Sequence, residues 1–235
     1  MKTQTFITLS CAAAGAFLLA ACTTTNVKSV ANASANKPPA GARILLIQPD
    51  IELSLLTASG MLEPRADWTA SGRGNIQAAV EAALKGKSHT FKGLDPNTAM
   101  AGRGGQLLRL NGEVGKSILL FNYGYVNLPT KAGSFDWTLG EGAQTLGQTY
   151  DADYALFIYG RGSYSSGARV AVMIGMAALG VSVPMGGQNA FASLVDLKTG
   201  QVVWFNLSTA GPSADMRTPE GATELTASLL KDVPL

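Results

Sequence analysis

The chain has 235 residues, 46% of them hydrophobic and 14% charged, which is enough for one domain with a real core and too apolar for wholesale disorder. Eighteen Lys and Arg stand against sixteen Asp and Glu, with no block of like charge, which argues against a nucleic-acid surface or an acidic tail. Only two Cys and one His are present, so clustered His metal sites are excluded, and any serine-histidine catalytic pair has to use His89.

The first 21 residues carry Lys2, then an apolar stretch ending in small residues, the pattern of a secretory signal rather than a spanning helix. Leu19, Ala20, Ala21 and Cys22 resemble the lipobox of bacterial lipoproteins. That resemblance implies a lipid (palmitate among its acyl chains) on Cys22 as the first mature residue. With Thr23 rather than Asp next in line, it implies sorting to the periplasmic face of the outer membrane. Several acyl chains, at roughly 0.8 kcal/mol per buried CH₂, would hold a protein at a membrane without a transmembrane helix. Cys11 leaves with the signal and Cys22 carries the lipid, so the mature domain has no thiol for a disulfide, a nucleophile or a zinc ligand.

Residues 22–41 are small and polar and contain the pair Pro38-Pro39, and they read as a flexible tether. The domain is expected over 42–235. Residues 42–49 form a short apolar run between Gly41 and Pro49, as a buried strand would, and Ile51, Leu53 and Leu55 continue it as a second extended piece or a bend. Ile76, Ala79, Val80, Ala83 and Leu84 fall on one face of a helix that Gly86 closes. Leu107, Leu110, Val114, Ile118 and Phe121 predict a second amphipathic helix, which Gly112 and Gly115 weaken by roughly 1 kcal/mol each. A shorter helix is predicted over 142–150.

Beyond it the pattern turns to strand. Residues 153–159 are aromatic and aliphatic and end at Gly160, and residues 191–196 and 201–206 read as two strands of a hairpin. Asp196 is placed to bond the turn backbone there, and Gly200 to take a positive φ. Thr218, Pro219 and Glu220 open a last helix with Ala222, Leu225, Leu229 and Leu230 inward. The order predicts a single α/β domain: a mixed sheet flanked by helices, with a C-terminal hairpin and helix.

Chemistry is harder to find. The stretch from Gly112 to Ser117 ends like a phosphate loop, but the glycine needed five positions before Gly115 is Leu110, and the stretch lies inside a helical pattern. Residues 162–167 miss the serine elbow by one position, so a hydrolase would need Ser165 or Ser166 beside His89. Three Gly-Arg-Gly triplets, around Arg73, Arg103 and Arg161, could bind phosphate or carboxylate groups, or be solvated loop arginines. Asp151 and Asp153 are too few for a metal cage and read as a strand-entry turn. No catalytic residue, cofactor or metal ligand is therefore assigned.

Residues 170–195 carry no charge, and their apolar part is cut to roughly 14 residues by Pro184, Gly186, Gly187, Gln188 and Asn189, shorter than the roughly 20 of a span. The segment reads as a buried core helix; a membrane-inserting or oligomer-forming element is the alternative.

The residues 151–157 and 192–204, behind a lipobox, resemble a group of bacterial envelope lipoproteins. The group holds the curli secretion channel lipoprotein, the penicillin-binding-protein activator lipoproteins and a neisserial surface lipoprotein family. The Trp68-Thr69 helix start and the end at residues 203–206 also resemble uncharacterised proteobacterial lipoproteins. The resemblance implies fold more than function. In the channel relative the corresponding connection forms membrane-crossing hairpins, but residues 170–195 do not alternate as such strands must. Two functions follow as expectations. The first is a non-enzymatic module anchored by Cys22 that binds an envelope protein or a second copy of itself. The second is a periplasmic hydrolase using His89 and a serine.

Overall fold

The computed structural model describes residues 23–30, 37–99, 101–124, 126–131, 134–211 and 213–235. The signal segment and Cys22 lie outside the described residues. In chain order the strands are β1 (Thr24–Ser29), β2 (Arg43–Ile47), β3 (Asp50–Leu56), β4 (Leu62–Pro64), β5 (Thr90–Leu94), β6 (Tyr154–Ser165), β7 (Gln188–Asp196) and β8 (Val202–Ala210). The helices are α1 (Ala66–Leu84), α2 (Pro96–Ala99), α3 (Gly102–Ile118), α4 (Gln144–Tyr150), α5 (Gly167–Ala178) and α6 (Pro219–Leu229). The domain is α/β, with an open mixed sheet in the order β1-β8-β7-β6-β2-β5.

β6 organises the sheet. Its first residues pair in parallel with β2 (Ile44 with Tyr154), and its later ones pair in parallel with β3 (Asp50 with Tyr159 through Leu56 with Ser165). β2 and β3 therefore succeed one another along the same flank of β6, broken at Gln48-Pro49. The strand does not end at Gly160 as its sequence suggests. Gly160 and Gly162 stay inside it because Ile51, Leu53 and Met216 occupy the space a side chain would need.

Both faces of the sheet are covered, which is why its central strands are apolar without alternation. On one face Ile44, Leu156, Ile158 and Leu194 pack with α1 and α6 through Ile76, Val80, Leu225 and Leu229. On the other, Leu45, Ala155, Phe157 and Val195 pack with Leu107, Leu108 and Ile118 of α3 and Leu146 of α4. The β7–β8 register slips by one residue at Leu194/Val195, and Val203 and Trp204, neighbours in sequence, lie in the same cluster. The hairpin turn is as expected: Asp196 Oδ1 accepts from the amides of Lys198 (2.8 Å) and Thr199 (3.3 Å), and Gly200 has φ +77°. Thr218 caps α6 by accepting from Gly221 N at 3.2 Å.

Four expectations are corrected. Thr24–Ser29, read as tether, is β1, paired antiparallel with all of Trp204–Thr209; Val27 packs on the core, which outweighs the polarity of its neighbours. In α1, Ala83 is exposed rather than on the buried stripe. The buried face of α3 is Leu107, Leu108, Asn111, Gly112, Gly115 and Ile118, with Leu110 outside it. Gly112 and Gly115 are the contact points, since a Cβ at 112 would stand 3.1 Å from the Tyr159 hydroxyl and one at 115 would collide with the Phe191 ring. Lastly, residues 170–195 are not one core helix: 188–195 belong to the buried strand β7, whereas 170–183 are not core. α5 buries only Arg169.

Candidate functional site

A cleft of about 600 Å³ opens where β2 gives way to β3, in the size range of ligand sites. Pro49 lacks an amide, and the strand pairing to β6 is interrupted there, so the helices of both layers reach the gap. α1 contributes Arg73; α3 contributes Arg109, Gly112, Glu113 and Lys116; β6 contributes Phe157, Tyr159 and Arg161.

The charges are distributed unevenly. Arg161 is held by Asp50 (3.1 Å) and Glu52 (3.1 Å), and Lys116 by Glu113 (2.7 Å). Arg73 and Arg109 make no ion pair among the described residues. Tyr159 donates its hydroxyl to Leu108 O at 3.1 Å and stacks on Phe191, centroids 4.7 Å apart. Burial pushes the Tyr159 phenol up to about 12, so it is a neutral donor and not a base. Two guanidiniums without carboxylate partners beside a neutral aromatic wall suit acidic groups.

Of the three Gly-Arg-Gly arginines, the structure brings Arg73 and Arg161 to this cleft. Arg103 sits instead at the first turn of α3 near Gly142. Arg109 was not singled out by sequence, and Lys116 only within the stretch from Gly112 to Ser117; their helical spacing from Gly112 was the available signal. Asn111 was also missed: it is buried, accepts from Ser193 Oγ at 3.3 Å, and its Nδ2 has no hydrogen-bond partner among the described residues.

His89 and the serines are not brought together. His89 lies at the entrance to β5, beside Leu84, Lys85, Lys87 and Phe91, and its Nδ1 makes no hydrogen bond among the described residues. Burial, then Lys37 and Lys87, lower its pKa, which favours the neutral ring. Ser165 ends β6, eleven residues beyond Tyr154 at the level of β2, roughly 35 Å along the strand. Ser166 caps α5 by accepting from Arg169 N at 3.1 Å. Asp151 and Asp153 both grip Arg43, Asp153 through Nη2 at 2.7 Å and Nε at 3.1 Å, and hold its guanidinium above the ordinary value. They lock β2 to the entrance of β6. Residues 112–117 lie in the interior of α3. Among the described residues no group of three His, Cys, Asp or Glu is placed to hold a metal ion.

No protein-family model and no curated protein matches the chain. Among solved structures, two of the PelC dodecamer from Paraburkholderia phytofirmans are similar at TM-scores of 0.39 and 0.37 and 15% and 13% identity. They cover 91% and 90% of this chain and 98% of each of those chains. Lipoprotein GNA1162 from Neisseria meningitidis is similar at a TM-score of 0.31 and 17% identity over 71% of this chain and 81% of that one. The LpoB C-terminal domain from Salmonella enterica is similar at 0.28 and 15% over 74% and 84%.

Proposed function

We propose that the chain is an envelope lipoprotein, held by lipid on Cys22 at the periplasmic face of the outer membrane, whose domain is a non-enzymatic module that binds an envelope protein. The observation that carries the binding role is the cleft at Gln48-Pro49, which Arg73 and Arg109, without carboxylate partners among the described residues, line together with a neutral Tyr159. Arginine beside aromatic surface is a common anchor for acidic side chains of a partner. The hydrolase reading loses its support because His89 and Ser165 sit far apart along the sheet.

Crosslinking in cells followed by affinity capture should recover one envelope protein reproducibly, and the Arg73→Ala, Arg109→Ala double variant should lose it while keeping the wild-type melt. Equal recovery with both proteins would remove the cleft as the docking site. Recovery of the chain itself in its place would make the module a homo-oligomer. For the anchor, labelled palmitate should enter the wild type and not Cys22→Ala; membrane association unchanged by that substitution would mean another segment holds the protein.

A further inference from the structure

We infer that α5, its return loop and the β3–β4 turn form an apolar foot that beds into the surface of the bilayer carrying the anchor; the inference rests on the lipid-anchored reading above. From Gly167 to Val195 the only charged residue is Arg169. Ile174 is 68% exposed, Leu179 76% and Met185 65%; across the β3–β4 turn Met61 is 69% and Leu62 59% exposed. A helix that is apolar all round is normally buried in protein or lipid, and this one has a single buried residue.

The foot is built rather than frayed. The Arg169 guanidinium donates to Pro184 O at 2.9 Å and to Ala58 O at 3.4 Å, which ties the return loop and the β3–β4 turn to the base of the helix. Ser166 caps the same turn.

Its occupant is indicated by the position of Thr23, the residue bonded to Cys22. Thr24 pairs with Thr209, Ala210 with Gln188, and Gln188 with Gly162, so the start of β1 lies at the same end of the sheet as the end of β6, from which α5 springs. β1 is three strand spacings from β6, about 14 Å. Thr23 is fixed there, its hydroxyl donating to Glu224 at 3.2 Å and accepting from Gly211 N at 3.2 Å. Cys22 precedes Thr23 by one Cα step, about 3.8 Å. Lipid on that residue brings this end of the domain to the bilayer, and the exposed apolar surface of that end meets acyl chains. At 12 residues α5 is about 18 Å long, short of the roughly 30 Å hydrocarbon core, and no helix among the described residues is long and apolar enough to cross a membrane. It therefore lies in the interface.

The mature lipoprotein has no free thiol, so Ile174→Cys gives a unique attachment point for an environment-sensitive fluorophore in the full lipidated chain. Lys198→Cys, in the β7–β8 turn at the opposite end of the sheet, is the control. In phosphatidylethanolamine-phosphatidylglycerol vesicles, the label at 174 should shift to the blue and be quenched about twofold or more by doxyl-labelled acyl chains, with the label at 198 unaffected. Emission at 174 as solvated as at 198 would overturn the inference. So would a blue shift without lipid quenching in a protein of doubled mass, which would assign the foot to a second copy. Quenching at 174 in protein that carries no palmitate would leave the foot standing and sink the anchor alone.

Discussion

β6 and α5 are separated by one residue and are similarly apolar, yet they end in opposite surroundings. Leu156, Phe157 and Ile158 are covered on both faces of the sheet, whereas Ile174 and Leu179 project from the domain. β6 has five neighbours that want its two faces and two edges: β2, β3, β7 and a helix layer on each side. α5 follows at the sheet's end, where it turns away from both layers and buries only Arg169. Apolar composition alone therefore does not locate a segment; its place in the connectivity does.

Four substitutions sharpen or break this contrast. Phe157→Ala should cost roughly 3–5 kcal/mol, a large share of a domain stability of about 5–15 kcal/mol. A melting point within a few degrees of wild type would mean that the β6 face is far looser than its burial indicates. Gly115→Val should cost about 1–3 kcal/mol by forcing α3 off Phe191; chemical denaturation of the purified protein reads it, and a stabilised variant would show that α3 can shift freely.

Next comes the network at the foot end of β6. Asp215 Oδ2 accepts from Arg217 Nη2 at 2.8 Å, and the Tyr164 hydroxyl faces Gln188 Oε1 (2.6 Å) and Asp215 Oδ1 (2.8 Å). Burial works to raise the Asp215 pKa, but the side-chain and backbone hydrogen bonds from Arg217 and that of Tyr164 outweigh it and hold the carboxyl below its ordinary value. The contribution is thus fully present above the unfolded value of about 3.9 and is lost as pH falls through the lower folded value. Asp215→Asn should lower stability by about 1–2 kcal/mol at neutral pH, with the gap to wild type closing on acidification. A gap that stays constant down the acid limb would show that the charge of Asp215 is not what matters.

The smallest expected effect on folding is that of Ile174→Asp. Its melt should stay within about 0.5 kcal/mol of wild type, as for an exposed site, and quenching at neighbouring foot positions by acyl-chain probes should fall. A cooperative loss of structure would return α5 to the core and break the comparison.

The elements that could be read from sequence were those with a local cause. The stripe of α1, the Asp196 and Gly200 turn and the Thr218-Pro219 cap each depend on residues within a few positions of one another. What could not be read depends on partners distant in the chain. Gly112 and Gly115 look like helix weakeners until Tyr159 and Phe191 lie beneath them. Gly160 looks like a strand end until Ile51 and Met216 fill the space beside it. The tether reading of Thr24–Ser29 failed because an edge strand can draw its rungs from a distant β8 with little apolar sequence of its own. The cleft was half visible, in Arg73 and Arg161, because a Gly-Arg-Gly triplet marks accessible guanidinium but not which two will meet.

β1 also has a mechanical consequence. Its rungs to β8 run across the strand, from Thr24–Thr209 to Ser29–Trp204. A pull applied at Thr23 and directed outward from that end of the sheet acts along the strand, so it loads all six pairings together in shear instead of peeling them one after another. A polar edge strand that adds little to the core thereby becomes the element through which drag on the domain is passed to whatever holds its N-terminus.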